Sequence, residues 1–482
     1  MADDHGLRRL ALGTLLAAFP GETAPAWAIG LLAEGLAGHT LFGTNIGSPE
    51  QVAALTAALR EGRPDAVIAI DEEGGDVTRL AHRTGSPYPG NAALGVVDDV
   101  PLTSRVYAAI GRDLVAAGIN LDLAPDVDVN TVDNPVIGTR SFGAPAELVA
   151  RHAGAAVTGL QSVGVAACAK HFPGHGATVA DSHLSLPTVD VPLAVLRERD
   201  LPPFAAAVAA GARAVMTAHV RVPVLTGDDP ATFSAAALGL LRGELGFRGV
   251  IVTDGLEMKG TATDVPRGAV RALAAGADLL CLGARVDAAL VEAVVAEIVT
   301  ALGDGRLSPE KLSAGVTRTT ELARWSATPG TRRSPDARLG MAVARRAVRV
   351  EGSLAEVSSP LVVRVAGEHT IAEGRVPWGL RPHLDGIEQV DVAAAAASVP
   401  GLVSRAGGRP IVVVGRQLHR FGRDLVERLA AAHPVVVVEM GRPSSWRPAG
   451  CRAFVATHGA SLANGRAAAE VLGLTAPAAF GD

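Results

Sequence analysis

Eight short apolar runs, separated by longer amphipathic segments, fill the chain between residues 11 and 302. The runs cover residues 12–19, 39–42, 66–70, 119–123, 165–169, 214–217, 250–253 and 278–282. Helix-like segments such as 49–60, 103–117, 146–163, 202–211, 235–244, 267–276 and 288–301 lie between them. Apolar strands that alternate with helices indicate a parallel sheet buried on both faces. Eight repeats of this unit predict a TIM (β/α)8 barrel instead of an open sheet.

The pattern changes after about residue 322. Residues 324–338 are polar and rich in turn formers, including Pro329, Gly330 and Pro335, which is typical of a linker. Beyond it, apolar runs at 361–365, 411–414, 435–440 and 453–456 alternate with helix-like segments at 418–432 and 460–472. We therefore predict a barrel over residues 1–323, a linker over 324–341 and a smaller α/β domain over 342–482. This second domain carries no catalytic motif, so structural support of the barrel is its expected role.

Charge and composition exclude several classes of partner. A formal net charge of −5 and a pI near 6.2 give no reason to expect nucleic acid. The three cysteines, Cys168, Cys281 and Cys451, are too few and scattered for a disulfide framework. No run approaches the length of a membrane span, and the acidic start of the chain does not resemble a signal peptide. We therefore expect no membrane partner and a cytoplasmic location, while protein partners stay unidentified.

Ionisable residues recur where the predicted strands end. They are Asp71 and Glu73, Asp122 and Asp126, Lys170 and His171, His219, and Asp254. Polar residues must appear wherever strands leave a core, but that does not explain so many ionisable types at the same end. Because catalytic groups of TIM barrels lie at the C-terminal ends of the strands, these positions predict an active site there.

The segment 169–183, AKHFPGHGATVADSH, starts at the last residue of the fifth apolar run and continues as a loop that contains Pro and Gly. Asp181 and His183 are two residues apart, so in an extended segment both side chains point to the same side. A carboxylate bound to one ring nitrogen fixes the tautomer and leaves the other nitrogen free for proton transfer. Lys170 is one of only three lysines in an Arg-rich chain, which argues against a surface lysine without a specific role.

The same segment contains a pair of histidines with the spacing of zinc ligands. His171 and His175 lie four residues apart. On a Pro-Gly loop, however, they do not share a helical face, and no Cys or Glu completes a site. We therefore predict no metal site.

The segment closely resembles the signature of bacterial β-N-acetylglucosaminidases of glycoside hydrolase family 3, K-H-F-P-G-H-G followed by D-S-H. Residues 70–80 resemble the family's I-D-x-E-G-G-x-V-x-R-[LF] segment, which places Asp71 and Arg79 at sugar-contacting positions. Asp76 stands where the family usually has Arg. Residues 135–143 resemble the V-I-G-x-R-S-[FY] loop, in which Arg140 would reach a sugar oxygen.

The seventh run supplies the fourth resemblance. Asp254 stands at the family's position for the nucleophilic carboxylate, in the setting [ST]-D-x-L-x-M, and Gly255 replaces an Asp that close relatives often carry. A strand-terminal Asp before Gly is otherwise a common cap of a turn. The resemblance covers nearly all of the first domain, at four motifs in the expected order.

The resemblance implies retaining hydrolysis of a terminal β-linked N-acetylglucosamine. Asp254 would be the nucleophile, and His183, oriented by Asp181, would be the acid and base. The sugar would be held by Asp71, Arg79, Arg140, Lys170 and His171. No metal or organic cofactor is required. Peptidoglycan-derived muropeptides and short chito-oligosaccharides both fit the motifs as glycan substrates.

Three alternatives remain open. The first is a phosphorylase that uses the same Asp and His. It stays open because a neutral His base, unlike a Glu, does not repel an incoming phosphate. A β-glucosidase of this family usually takes its acid from elsewhere, not from a D-S-H loop. A non-catalytic sugar binder has no need for both Asp254 and the Asp181–His183 pair.

Overall fold

The computed structural model describes residues 4–261, 263–326, 335–355, 357–367 and 369–477. These residues form two compact units, and each unit is assembled from segments that are not contiguous in the sequence. The first consists of Met1–Glu73, Val100–Ile137 and Ser141–Pro335; the second consists of Gly74–Asp99, Gly138–Arg140 and Asp336–Asp482. Of the predicted linker, residues 327–334 lie outside the described part, whereas Arg324 lies in a helix and Ala337 begins the next one.

Eight parallel strands form the first unit's sheet. They are β1 (Leu15–Ala17), β2 (Gly38–Leu41), β3 (Val67–Ile70), β4 (Leu121–Asp122), β5 (Ala166–Phe172), β6 (Ala214–Thr217), β7 (Val250–Thr253) and β8 (Leu280–Cys281). Each pairs in parallel with its neighbours in chain order, and β1 pairs with β8. A parallel bridge between Val252 and Leu279 joins β7 to the segment entering β8 and closes the ring. The predicted TIM barrel is confirmed.

Helices connect these strands. Those before residue 327 are α1 (Asp4–Leu12), α2 (Ala26–Glu34), α3 (Pro49–Gly62), α4 (Asn91–Val97), α5 (Val100–Ala116), α6 (Ala146–Gln161), α7 (Leu193–Arg199), α8 (Leu201–Ala209), α9 (Pro223–Thr226), α10 (Ala235–Gly243), α11 (Val265–Ala275), α12 (Ala288–Gly303) and α13 (Pro309–Trp325). Local sequence determines where these helices begin, as helix α3 illustrates. Ser48 accepts a hydrogen bond from the Gln51 N–H, and Pro49 occupies the first turn. Among the described residues, no helix is long and apolar enough to cross a bilayer.

The barrel interior is filled by alternate residues of the strands. One buried cluster draws on all eight strand regions and includes Leu16, Ala37, Val67, Ala69, Leu121, Ala166, Cys168, Ala214, Met216, Val250, Val252 and Leu279. Because successive side chains of a strand point to opposite faces, the remaining strand residues face the surrounding helices. Leu322 and Ala323 of α13 join the interior cluster, with Trp325 packed against it.

The second unit contains a six-stranded sheet in the order β11-β10-β12-β13-β14-β9. Its strands are β9 (Arg349–Gly352), β10 (Leu361–Val365), β11 (Gln389–Val392), β12 (Ile411–Gly415), β13 (Val435–Glu439) and β14 (Ala453–Ala456), and its helices after residue 335 are α14 (Ala337–Ala347), α15 (Val399–Ala406), α16 (Arg420–Ala432) and α17 (Leu462–Val471). Val413 and Val437 pack in one buried cluster, and Val412 and Val436 pack in another. Both faces of the sheet are therefore covered, which confirms the α/β sandwich.

Candidate active site

Three predicted site residues continue the inward register of their strands. Asp71 follows Val67 and Ala69, and Lys170 follows Ala166 and Cys168 at intervals of two. Asp254 follows Val250 and Val252 in the same way. Since alternate residues of a strand share one face, the sequence register directs all three side chains toward the inside of the barrel. They lie at its C-terminal end, where TIM barrels place their chemistry.

Lys170 is a buried cation held by two carboxylates. Its Nζ lies 2.7 Å from Oδ1 of Asp71 and 2.7 Å from Oε1 of Glu73. The Lys170 and Glu73 side chains are almost fully buried, whereas that of Asp71 keeps 19% of its surface exposed. A buried ammonium needs such partners because burial without them is very costly. Asp71 is therefore fixed in position while part of its carboxylate stays open to solvent.

Asp254 lies directly after β7 and is held as an anion. Its Oδ1 accepts a hydrogen bond from the Gly255 N–H at 2.8 Å. Burial raises the pKa of its carboxyl, but neighbouring histidine charges and this N–H outweigh burial and lower the pKa to about 2. The histidines are His219, His171 and His183. An ionised, partly buried carboxylate at the barrel mouth is the state that a nucleophile requires.

Asp181 and His183 lie together on the loop after β5. His183 Nδ1 is 2.7 Å from Oδ1 of Asp181, which also accepts the His183 backbone N–H at 2.8 Å. Burial raises the pKa of the Asp181 carboxyl, but the two hydrogen bonds from His183 outweigh burial and lower the pKa. An ionised Asp181 requires the proton on Nδ1, so Nε2 of His183 is the nitrogen left for proton exchange.

His171 is oriented by a carboxylate that the sequence analysis did not single out. Its Nδ1 lies 2.7 Å from Oδ2 of Asp128. Burial raises the pKa of Asp128, but the hydrogen bond and charge of His171 lower it below its ordinary value. Asp126, Asp128 and His171 bring three potential metal-ligating atoms within 4.8 Å of one another. At 2.7 Å, however, the His171–Asp128 contact has the length of a charge-assisted hydrogen bond.

His175 supports the loop instead of facing a ligand, and the sequence analysis did not identify this role. Its backbone N–H donates to Oδ1 of Asp128 at 2.6 Å. Its ring bridges Thr178, 2.7 Å from Nδ1, and Ser182, 3.2 Å from Nε2. His175 is buried, and so are both hydroxyl partners. The histidine therefore ties the Pro-Gly turn to the segment that carries His183.

Arg79 and Arg140, both predicted sugar contacts, belong to the second unit. Nη2 of Arg79 donates to the Ala372 carbonyl at 2.7 Å. Arg140 ends a short 3-10 turn, Gly138–Arg140, and is buried, while its carbonyl accepts from Asn91 Nδ2 at 2.6 Å. These contacts hold the Arg79 side chain and the Arg140 backbone within the second unit.

Asp76, the residue that departs from the family pattern, has a structural role in the second unit. Its Oδ2 accepts from the Thr139 hydroxyl at 2.6 Å, and its Oδ1 accepts from the Ala460 N–H at 2.8 Å. One carboxylate thereby joins three separate segments of that unit. An arginine has no acceptor and could not make either bond.

Known proteins resemble this chain in sequence and in fold. Residues 23–322 match the model of the Glycosyl hydrolase family 3 N terminal domain. The chain is 34% identical over 317 residues to Beta-hexosaminidase A of Pseudoalteromonas piscicida, covering 60% of this chain and 53% of that protein, so it spans about half of that relative's length. It is 39% identical over 268 residues to a Beta-hexosaminidase of Stenotrophomonas maltophilia, covering 53% of this chain and 79% of the relative.

A solved structure extends the likeness to nearly the whole chain. A glycoside hydrolase family 3 beta-N-acetylglucosaminidase from Paenibacillus sp. superposes with a TM-score of 0.86 at 32% identity, covering 98% of this chain and 97% of that one. The family model alone matches well over half of the residues. The chain therefore belongs to glycosyl hydrolase family 3.

Proposed function

We propose that this protein is a retaining exo-β-N-acetylglucosaminidase. One observation carries the proposal: the hydrogen-bonded Asp181–His183 pair accompanies an ionised Asp254 at the barrel mouth. The Gly260 N–H, six residues after Asp254, donates to the carbonyl of Ser182 at 3.0 Å, next to His183, which supports the proximity of the two loops. The names of the relatives, beta-hexosaminidase and beta-N-acetylglucosaminidase, support the same substrate class.

In the first step, a carboxylate oxygen of Asp254 attacks the anomeric carbon as the glycosidic bond breaks. His183 Nε2, protonated, gives its proton to the departing oxygen, and a covalent glycosyl-enzyme forms through an oxocarbenium-like transition state. In the second step, the neutral imidazole takes a proton from water, which attacks the anomeric carbon and releases Asp254. Retention requires the two groups about 5 Å apart.

The sugar would be held by Asp71, Lys170 and His171 of the first unit, and the family resemblance alone adds Arg79 and Arg140 as sugar contacts. Lys170 fixes Asp71, and Asp128 fixes His171, so both polar groups are oriented before the sugar binds. Terminal N-acetylglucosamine on muropeptides from peptidoglycan turnover or on chito-oligosaccharides is the proposed substrate. No metal or organic cofactor takes part in this mechanism.

The decisive experiment incubates the protein with an aryl β-N-acetylglucosaminide, with and without inorganic phosphate, and identifies the sugar product. We expect free N-acetylglucosamine of β configuration in both reactions. N-acetylglucosamine 1-phosphate in the phosphate reaction would replace the hydrolase proposal with a phosphorylase that uses the same residues. If no product forms while the corresponding β-glucoside is cleaved, the proposed substrate class is wrong.

A further inference from the structure

We infer that Gly260 and His219 are positioning residues that set the His183 loop against Asp254. Together with Ser182 they form a contact that we call the latch. The inference rests on the proposed function, because it concerns how the acid and base are placed relative to the nucleophile. Neither Gly260 nor His219 would touch the sugar in this scheme; each acts through a neighbour.

The first part of the latch joins the two catalytic loops through their backbones. The Gly260 N–H donates to the Ser182 carbonyl at 3.0 Å. Gly260 lies in the short 3-10 turn Lys259–Thr261 after Asp254, and Ser182 lies between Asp181 and His183. A backbone hydrogen bond thus joins the loop after Asp254 to Ser182, the residue next to the proposed acid and base, His183.

The second part ties the latch to the nucleophile. Nε2–H of His219 donates to the Gly255 carbonyl at 3.0 Å, and Nδ1 lies 2.9 Å from the Thr232 hydroxyl. Burial lowers the pKa of His219, although the nearby Asp254 carboxylate acts in the opposite direction, and the ring nitrogen that faces the Gly255 carbonyl carries a hydrogen. Gly255 carries the N–H that binds Asp254, so His219 fixes the turn on which the carboxylate depends.

Close packing connects the two parts. A Cβ on Gly260 would lie 2.8 Å from the Ser182 carbonyl oxygen, 3.0 Å from Cβ of His219 and 3.3 Å from the Ser185 carbonyl oxygen. Two of these atoms are backbone of the His183 loop and cannot rotate away. Gly260 is not among the glycines with a left-handed backbone. Close packing, and not backbone conformation, is therefore what excludes a side chain at this position.

The other side of Ser182 is anchored too. Its hydroxyl lies 3.2 Å from Nε2 of His175, whose backbone is bound to Asp128. A Cβ on Gly260 therefore pushes against a segment that is held from behind, and the strain must be relieved by moving Ser182 and its neighbour His183. A displacement of about 1 Å at a catalytic group can cost about 100-fold in rate.

The first test compares Gly260→Ala with Gly239→Ala, a helical position at which a Cβ meets nothing within 4 Å. We would measure kcat/KM on a methoxyphenyl and a dinitrophenyl β-N-acetylglucosaminide, since only the poorer leaving group needs a proton. For Gly260→Ala we expect about 100-fold loss on the methoxyphenyl substrate and less than about threefold on the dinitrophenyl substrate. Gly239→Ala should match the unaltered protein on both. Equal loss on both substrates, or no loss, would overturn the role of Gly260.

The second test uses His219→Gln and His219→Phe, and it carries the proposal if Gly260→Ala does not fold. Gln can still donate to the Gly255 carbonyl, whereas Phe fills the space without a donor. We expect His219→Phe to lose about 100-fold on both substrates, with inhibition by N-acetylglucosamine unchanged, and His219→Gln to recover at least tenfold. Equal kcat/KM values for His219→Gln and His219→Phe would contradict the positioning role of His219. If the unaltered protein cleaves neither substrate, the proposed function fails first.

Discussion

Nζ of Lys170 lies 2.7 Å from Oδ1 of Asp71 across the mouth of the barrel, although 99 residues separate them in the chain. The ammonium also contacts Glu73, and the lysine side chain is only 2% exposed. The carboxylate that we propose to bind the sugar is thus held in place by a cation that is itself out of reach of solvent. Lys170 is consequently expected to stabilise the first unit and, on the proposed function, to orient Asp71 for the sugar.

Replacing Lys170 by Met should destabilise the first unit strongly. The change leaves Asp71 and Glu73 close together without their shared cation, and loss of one partner from a buried ion pair costs about 3–5 kcal/mol. The measurement is the free energy of unfolding from a urea titration. Lys311→Met is the matched control, because Lys311 is exposed and its replacement should change stability by less than about 0.5 kcal/mol. Similar stability of the two variants would contradict the prediction.

His183→Ala should lose activity according to the leaving group. Without a proton donor, kcat/KM should fall about 100-fold or more on a methoxyphenyl β-N-acetylglucosaminide and little on the dinitrophenyl substrate. Asp181→Ala should show a weaker form of the same pattern, because the imidazole loses its orientation but not its nitrogen. A loss that is equal for both leaving groups would remove His183 from the acid and base role.

Asp254→Asn should abolish turnover and leave sugar binding intact. The amide oxygen can still accept the Gly255 N–H, so the turn is preserved, but an amide does not form the glycosyl-enzyme. We expect kcat to fall about 10⁴-fold while the affinity for N-acetylglucosamine, measured by calorimetry, changes by less than about threefold. Turnover within tenfold of the unaltered protein would disprove the nucleophile assignment.

The lowered pKa of Asp254 predicts the acid side of the pH profile. A carboxyl whose pKa lies near 2 stays ionised as the pH falls to about 4, and the stability gained from its ionised form is lost only below the ordinary carboxyl pKa of about 3.9. In the unaltered protein, kcat/KM on the dinitrophenyl substrate, which needs no proton donor, should therefore show no limb with a midpoint near 4. A one-proton fall centred there would mean that Asp254 has an ordinary pKa.

Much of the fold follows from local patterns. The eight apolar runs match eight strands because a parallel barrel strand is buried on both faces and needs a continuous apolar stretch. In the second unit, β9 and β11 have no such pattern: both lie at the edges of the sheet, and their residues are exposed or only half-buried. An edge strand needs no continuous apolar run, so local composition does not reveal it.

The division into units is decided by tertiary contacts. Residues 74–99 and 138–140 lie within the barrel part of the sequence, yet they pack with the C-terminal half. Asp76 illustrates the reason: it binds Thr139, 63 residues away, and Ala460, 384 residues away. No local pattern in the sequence records such a partner.

The sequence by itself determined the barrel, the positions of Asp254, Asp181 and His183, and the register that turns Asp71 and Lys170 inward. These depend on spacings of two residues or on a strand end, which are local properties of a chain. Only the tertiary structure decided what holds them: Asp128 against His171, 43 residues apart, and the Gly260 N–H against the Ser182 carbonyl. A supporting contact depends on three-dimensional proximity between distant segments, and its residue types are common throughout the chain.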